Sequence, residues 1–303
     1  MAIGIITGLL VGLLAVLFVQ QEVLSTEAAE GLVAMPGCNS SCGSLSRIPY
    51  PFGVKEGCYL NRQFLITCNY SYDPPRAFLM NSKTVEVLNI SIAGDLNVNG
   101  LVARDCYGSY SNMSNGWAFL DLVSKFTISE SRNKFTVLGC DSYGYLDGYL
   151  LNTRSGQRNG YTSGCSTVCD YNASVDANSC TGSGCCQVAI PPGLVFTNTS
   201  ALSFKKHRDV LGFNPCTYAF IVEDGRFDYN FSYLKNMPKR MPIVLEWAIQ
   251  DSTKTWSSSS TICKGKATSF PAKNNLGYRC QCNDGYQGNP YLDGGCQGVL
   301  DSS

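Results

Sequence analysis

Sixteen cysteines in 303 residues constrain this chain more than any other feature. They are Cys38, Cys42, Cys58, Cys68, Cys106, Cys140, Cys165, Cys169, Cys180, Cys185, Cys186, Cys216, Cys263, Cys280, Cys282 and Cys296. What they do depends on the compartment in which the chain folds. No charged side chain precedes Glu22, and Ile3 to Val19 is an apolar run broken only by Thr7. Residues 1–30 therefore read as a signal peptide, or as a signal-anchor if the segment is retained. Either route delivers the remainder to an oxidising space, where an even cysteine count implies eight disulfides. A metal site in the crowded span Cys165 to Cys186 is the competing reading. The chain has a single histidine, His207, and thiolate metal sites belong mainly to reducing compartments. Adjacent residues in an extended segment point to opposite faces, so Cys185 and Cys186 are expected to have different partners.

Seven Asn-x-Ser/Thr acceptors agree with export: Asn39, Asn69, Asn89, Asn112, Asn172, Asn198 and Asn230. Two of them sit in apparent alternation. Leu88, Ile90 and Ile92 share one face, leaving Asn89 outside, and Phe227, Tyr229 and Phe231 leave Asn230 outside. Charge is nearly balanced: without Glu22, Glu27 and Glu30 the formal charge is +3. That excludes a strongly electrostatic nucleic-acid binder and leaves room for local basic patches.

Helical periodicity is scarce after residue 30, whereas short β-branched or aromatic runs bounded by turn residues recur. The expected strands are Phe64 to Cys68, Thr84 to Ile92, Ala118 to Val123, Lys134 to Gly139, Thr217 to Val222 and Ile243 to Ile249. "AFIVEDGRFDYNF" reads as a hairpin with Asp224 and Gly225 in a type I′ turn. Asn152 to Gly184 reads as a long loop stapled by its cysteines, and "SSSS" at 257–260 as a linker. The fold class is mainly β, a disulfide-rich extracellular domain. Catalysis finds little support: His207 lies in the basic run "KKHRD", reads as a solvated surface residue, and has no nucleophile motif beside it. Tyr143, Tyr145 and Tyr149 read equally as packing residues or as sugar platforms. Basic groups suit an anion better, since arginine forks and lysine point charges hold a carboxylate-bearing polymer in a salt-sensitive way.

The segment "CNSSCGSLSRIPYPFGVKEGCYLNRQFLITCN", residues 38–69, resembles the start of the extracellular region of plant wall-associated receptor kinases. The likeness runs on through "PPRAFL", "EVLNISI", "SRNKFTVLGCDSYGYL", "GCSTVCD", "GCCQVAIPPGL", "NPCTYAFIVED" and "PIVLEWAI". "GYRCQCNDGYQGNPYLDGGC" resembles the tail of the family's epidermal-growth-factor-like module, here with two disulfides expected among Cys263, Cys280, Cys282 and Cys296. The resemblance implies a galacturonan-binding N-terminal half at 38–150, a cysteine-rich C-terminal half at 151–256, a partial EGF-like module at 263–297 and a tail at 298–303. That module would act as a stiff spacer in full-length relatives and as a terminal cap here.

The implied function is non-catalytic binding of pectin, the acidic galacturonan polysaccharide of the cell wall. Since the family's binding lies in its N-terminal half, the expected ligand-binding residues are Arg47, Lys55, Arg62, Arg76 and Lys83, then Lys205, Lys206 and Arg208. No cofactor is expected, and calcium would serve only as a bridge within bound pectin. The residues include no kinase motif and no second apolar span, so phosphoryl transfer is not expected of them. The alternative is a soluble partner or decoy of full-length receptor kinases, acting through protein contacts. The expected place is the cell wall, with membrane attachment only through residues 3–19.

Overall fold

The computed structural model describes residues 33–122, 126–152, 156–171, 174–175, 179–249 and 262–299. The N-terminal apolar run, the acceptor Asn172 and the serine linker lie outside them. Three sheets make up the body. The largest is ordered β1 (Ile66–Asn69), β2 (Arg76–Leu79), β3 (Glu86–Ile90), β4 (Asp95–Leu101), β14 (Arg240–Trp247) and β7 (Phe126–Ile128). A second runs β10 (Arg158–Val168), β9 (Asp141–Leu151), β12 (Leu194–Ser203) and β6 (Trp117–Asp121). A third runs β11 (Cys185–Ala189), β8 (Asn133–Leu138), β13 (Cys216–Glu223) and β5 (Ala103–Cys106). Two small hairpins follow, β15 (Ala267–Pro271) with β16 (Tyr278–Cys282), and β17 (Tyr286–Gly288) with β18 (Cys296–Gly298).

The local sequence explains the character of each strand. β13 is buried at every position and reads as a continuous apolar run, as a strand covered on both faces must. β9 instead alternates, with Ser142, Gly144, Leu146 and Gly148 inward and Tyr145 and Tyr149 outward. Between the layers Trp247 meets Phe52, Phe64 and Tyr291 at ring-centroid distances of 5.3, 5.7 and 5.9 Å. A second apolar cluster behind β13 gathers Tyr218, Phe220, Val222, Leu234 and Met237.

All sixteen cysteines pair: 38–58, 42–68, 106–216, 140–169, 165–186, 180–185, 263–280 and 282–296. Cys185 and Cys186 take different partners, as their opposite directions require. No thiolate in the span 165–186 is left for a metal.

Several expectations are corrected. Residues 152–184 are not one long loop, because β10 pairs with β9 along eleven residues. Its glycines, serines and threonines carry little apolar signal, and β9 together with the 165–186 disulfide supplies the support instead. Alternation in β3 fails at Leu88, which is exposed, because a bulge between Val87 and Asn89 shifts the register. The hairpin at Asp224–Gly225 is absent: Gly225 alone has positive φ, and Arg226 N–H bonds the Glu223 carbonyl at 3.0 Å. A type I′ turn needs positive φ at both central residues, so the chain leaves the sheet and residues 226–230 form no strand.

A division near residue 150 does not follow the sheets, since each of the three takes strands from both sides of it. The terminal hairpins are also docked rather than held apart. Ile249 and Tyr278 exchange both backbone hydrogen bonds at 2.9 Å, and Asn289 Nδ2 donates to the carbonyls of Val33 and Tyr50 at 2.9 and 2.8 Å.

Candidate functional site

Residues 38–69 carry two disulfides of their own. The 38–58 disulfide joins two loops of this segment, the 42–68 disulfide ties them to β1, and Gly53 bridges Leu65 in parallel through two backbone hydrogen bonds. Arg62 opens a one-turn 3-10 helix capped by Asn61, whose Oδ1 accepts from Gln63 N–H at 3.1 Å. Gly43, at φ 56°, lets the 42–45 turn press on the Pro75 carbonyl, where any side chain would overlap. That contact sets the Arg47 segment against the start of β2, where Arg76 stands.

Arg47, Lys55, Arg62, Arg76 and Lys83 are all exposed. Arg76 is already engaged: its guanidinium lies 4.6 Å from the Tyr72 ring centroid and 3.6 Å from Glu86 Oε1. Arg47, Lys55, Arg62 and Lys83 form no ion pair among the described residues. Carboxylate groups of a ligand would therefore meet four uncommitted cations on one cross-linked scaffold.

The second group lies elsewhere, in the loop after β12. That loop wraps an internal carboxylate: Asp141 accepts from the backbone N–H of Lys205 and His207 at 3.0 and 2.8 Å, and from Ser203 Oγ at 2.7 Å. Lys205 and Arg208 both pair with Asp209 at 3.4 Å. The Lys205 hydrogen bond, with Arg208 beside it, pulls Asp209 below the usual carboxylate range. Lys206 is exposed without such a partner. Internal acids thus answer part of this second patch, and among the described residues no hydrogen bond or ion pair joins it to the first.

His207 is fully buried, not solvated. Its Nδ1 lies 2.8 Å from the Asn214 carbonyl and Nε2 lies 2.8 Å from Thr217 Oγ1. A carbonyl only accepts, so Nδ1 carries the proton and neutral Nε2 accepts from Thr217, whose oxygen accepts in turn from Ser142 at 2.8 Å. Basic neighbours in the sequence hid this, because positive φ at Lys206 and His207 turns the ring inward.

Burial pushes the His207 pKa down, against the opposing pull of Asp141 and Asp105 and the Asn214 contact. Over the window below the unfolded value of about 6.5, the unfolded chain binds more protons than the folded one, so stability falls as pH falls. Each pH unit between that value and the folded pKa is expected to cost about 1.4 kcal/mol. Thermal melts at pH 7, 6 and 5 check this, and a midpoint that holds or rises on acidification refutes it.

Sequence reasoning left Tyr143, Tyr145 and Tyr149 open and passed over Trp117, Phe119 and Phe196. Together they line the outer face of the second sheet, where Trp117, Phe119, Tyr149 and Phe196 surround a cleft of about 750 Å³ with Asp147, Tyr161 and Asn198. The signal was present as the alternations W-A-F-L-D in β6 and Y-G-Y-L-D-G-Y in β9.

Comparison with known proteins finds relatives of the N-terminal segment and of most of the chain. Residues 38–99 match the family model described as "Wall-associated receptor kinase galacturonan-binding", which covers Arg47, Lys55, Arg62, Arg76 and Lys83. Among curated proteins, wall-associated receptor kinase 2 of Arabidopsis thaliana is 38% identical over 268 residues. Wall-associated receptor kinases 5 and 1 of the same plant are 36% and 34% identical over 275 residues. In each case 86% of this chain aligns with 34% of the relative, so the chain spans about a third of their length. No solved structure matches. Sequence, disulfide-rich β-fold and family match agree that the chain is like the extracellular region of the wall-associated receptor kinases.

Proposed function

We propose that the chain is a non-catalytic binder of acidic galacturonan, the pectic polyanion of the plant cell wall, and that the N-terminal cation patch holds it. The observation that carries this reading is the coincidence of the galacturonan-binding family match at 38–99 with four exposed, uncommitted cations in the same segment. Guanidinium forks take carboxylates bidentately and lysines act as point charges, so both residue types suit the uronate groups of such a chain. Arg76 contributes less free charge, because Glu86 already shares it.

Retention of the oxidised, glycosylated chain on polygalacturonate tests this. Binding is expected to weaken as salt rises from 50 to 500 mM. Arg47→Glu combined with Arg62→Glu should lower affinity at least about 10-fold, the scale of one lost charge-assisted hydrogen bond. Lys205→Glu combined with Arg208→Glu should change it less, since Asp209 is already shared between those two residues. Retention indifferent to salt and to the first pair of substitutions would overturn the assignment.

A further inference from the structure

The outer face of the second sheet is apolar, aromatic and uncovered, with Trp117 56%, Phe119 39%, Tyr145 43% and Tyr149 45% exposed. A contiguous patch of this kind normally has an occupant. The strand register puts the acceptor Asn198 at its centre. Asn198 stands directly opposite Phe119 on β6, and Trp117 is a diagonal neighbour there, opposite Ser200. On β9, Tyr149 and Tyr145 are its two diagonal neighbours, opposite Phe196 and Ser200. Direct and diagonal partners of this kind lie about 5 to 8 Å apart. All four exposed rings are therefore within one sugar residue of a single asparagine. Phe196 and Ser200, two residues to either side, share its face, and Ser200 is the hydroxyl residue of the acceptor triplet.

We infer that the occupant is the chain's own N-linked glycan, attached at Asn198, with its first N-acetylglucosamine units lying across Phe119, Trp117 and Tyr149. Charge favours a neutral sugar over the polyuronate of the first patch. The four strands carry Asp121, Asp141 and Asp147 against the single cation Arg158. Pyranose C–H faces pack on aromatic rings, while hydroxyl groups have the Asp147 carboxylate within the cleft as acceptor. Asn198 Oδ1 is itself buried with no hydrogen-bond partner, an acceptor that the sugar amide can meet. The donor is a lipid-pyrophosphate-linked oligosaccharide. C1 of its first sugar bonds to Asn198 Nδ2, the C1–O bond to pyrophosphate breaks with its electron pair leaving on the phosphate, and Nδ2 loses one proton. The glycan then acts as a covering layer for the sheet, which explains how an aromatic face persists on a secreted chain.

The test uses the full chain secreted from glycosylating eukaryotic cells, wild type and Asn198→Gln, each with and without Trp117→Ala plus Phe119→Ala. Peptide mass spectrometry should find Asn198 occupied. Loss of the glycan should lower the melting temperature by about 3–6 °C when the rings are present, the scale of two ring contacts in a domain of this size, and raise apolar-dye binding several-fold. With both rings removed, loss of the glycan should shift melting by less than about 1 °C. Enzymatic release of the glycan from the folded wild-type chain should reproduce the dye and melting changes without any substitution. An unoccupied Asn198, or equal shifts with and without the rings, would overturn the inference. So would quenching of tryptophan emission in the fully glycosylated chain by free cello-oligosaccharides, since that requires a bare face.

Discussion

Trp247→Ala is expected to destabilise the chain by about 3–5 kcal/mol, lowering the melting temperature by on the order of 10 °C. Trp247 is 1% exposed and stands at the end of β14, where Phe52 and Phe64 from the N-terminal loops and Tyr291 from the terminal module meet it edge-on or tilted. Its indole N–H donates to the Ser91 carbonyl at 3.1 Å. Truncation removes the ring area, opens a cavity that three sequence-distant segments must share, and leaves the Ser91 carbonyl with the Gly94 N–H as its one remaining donor among the described residues. Local consequences should follow in the terminal module, because the Tyr291 hydroxyl holds the Cys280 amide at 3.0 Å. Hydrogen exchange at that amide should accelerate along with the global loss. Trp247→Phe keeps most of the ring and should cost less than half as much. If alanine costs under about 1 kcal/mol by denaturant titration, the cluster is not the junction described here.

Cys106→Ala combined with Cys216→Ala is expected to cost as much or more, about 4–5 kcal/mol. These residues face one another across β5 and β13 and close a loop with a sequence separation of 110. A long closed loop removes the most entropy from the unfolded ensemble, and the paired substitution avoids a stray thiol. Removing Cys180 and Cys185 together, separation 5, should cost only about 2 kcal/mol by the same relation. Denaturant titration of both variants checks the order. A larger cost for the short loop would mean that native packing, not chain entropy, governs these bridges.

The two expectations rest on features of very different legibility. The cysteines and the short β-branched and aromatic runs of β8, β13 and β14 are local properties, and sequence reading found those strands within a few residues. The N-terminal cations stand in a segment whose motif was legible. Trp247 also stood in an expected strand, yet nothing local says that Phe52, Phe64 and Tyr291 converge on it. β10 was read as loop because its partner, β9, provides what its own composition lacks. His207 looked solvated because its neighbours in sequence are cationic, while its neighbours in space are Asn214, Thr217 and the Tyr107 ring at 5.6 Å.

Composition and order alone determined an oxidised, β-rich chain with every cysteine paired, and the motifs of its first cross-linked segment carried the likeness to the wall-associated receptor kinases. Tertiary structure decided which cations are free and which are answered by internal carboxylates, and it gathered scattered aromatic residues around Asn198. The reason is that β pairing here is non-local: β4 lies beside β14 and β12 beside β6. A period-two pattern fixes which face a side chain takes but not which strand lies next to it.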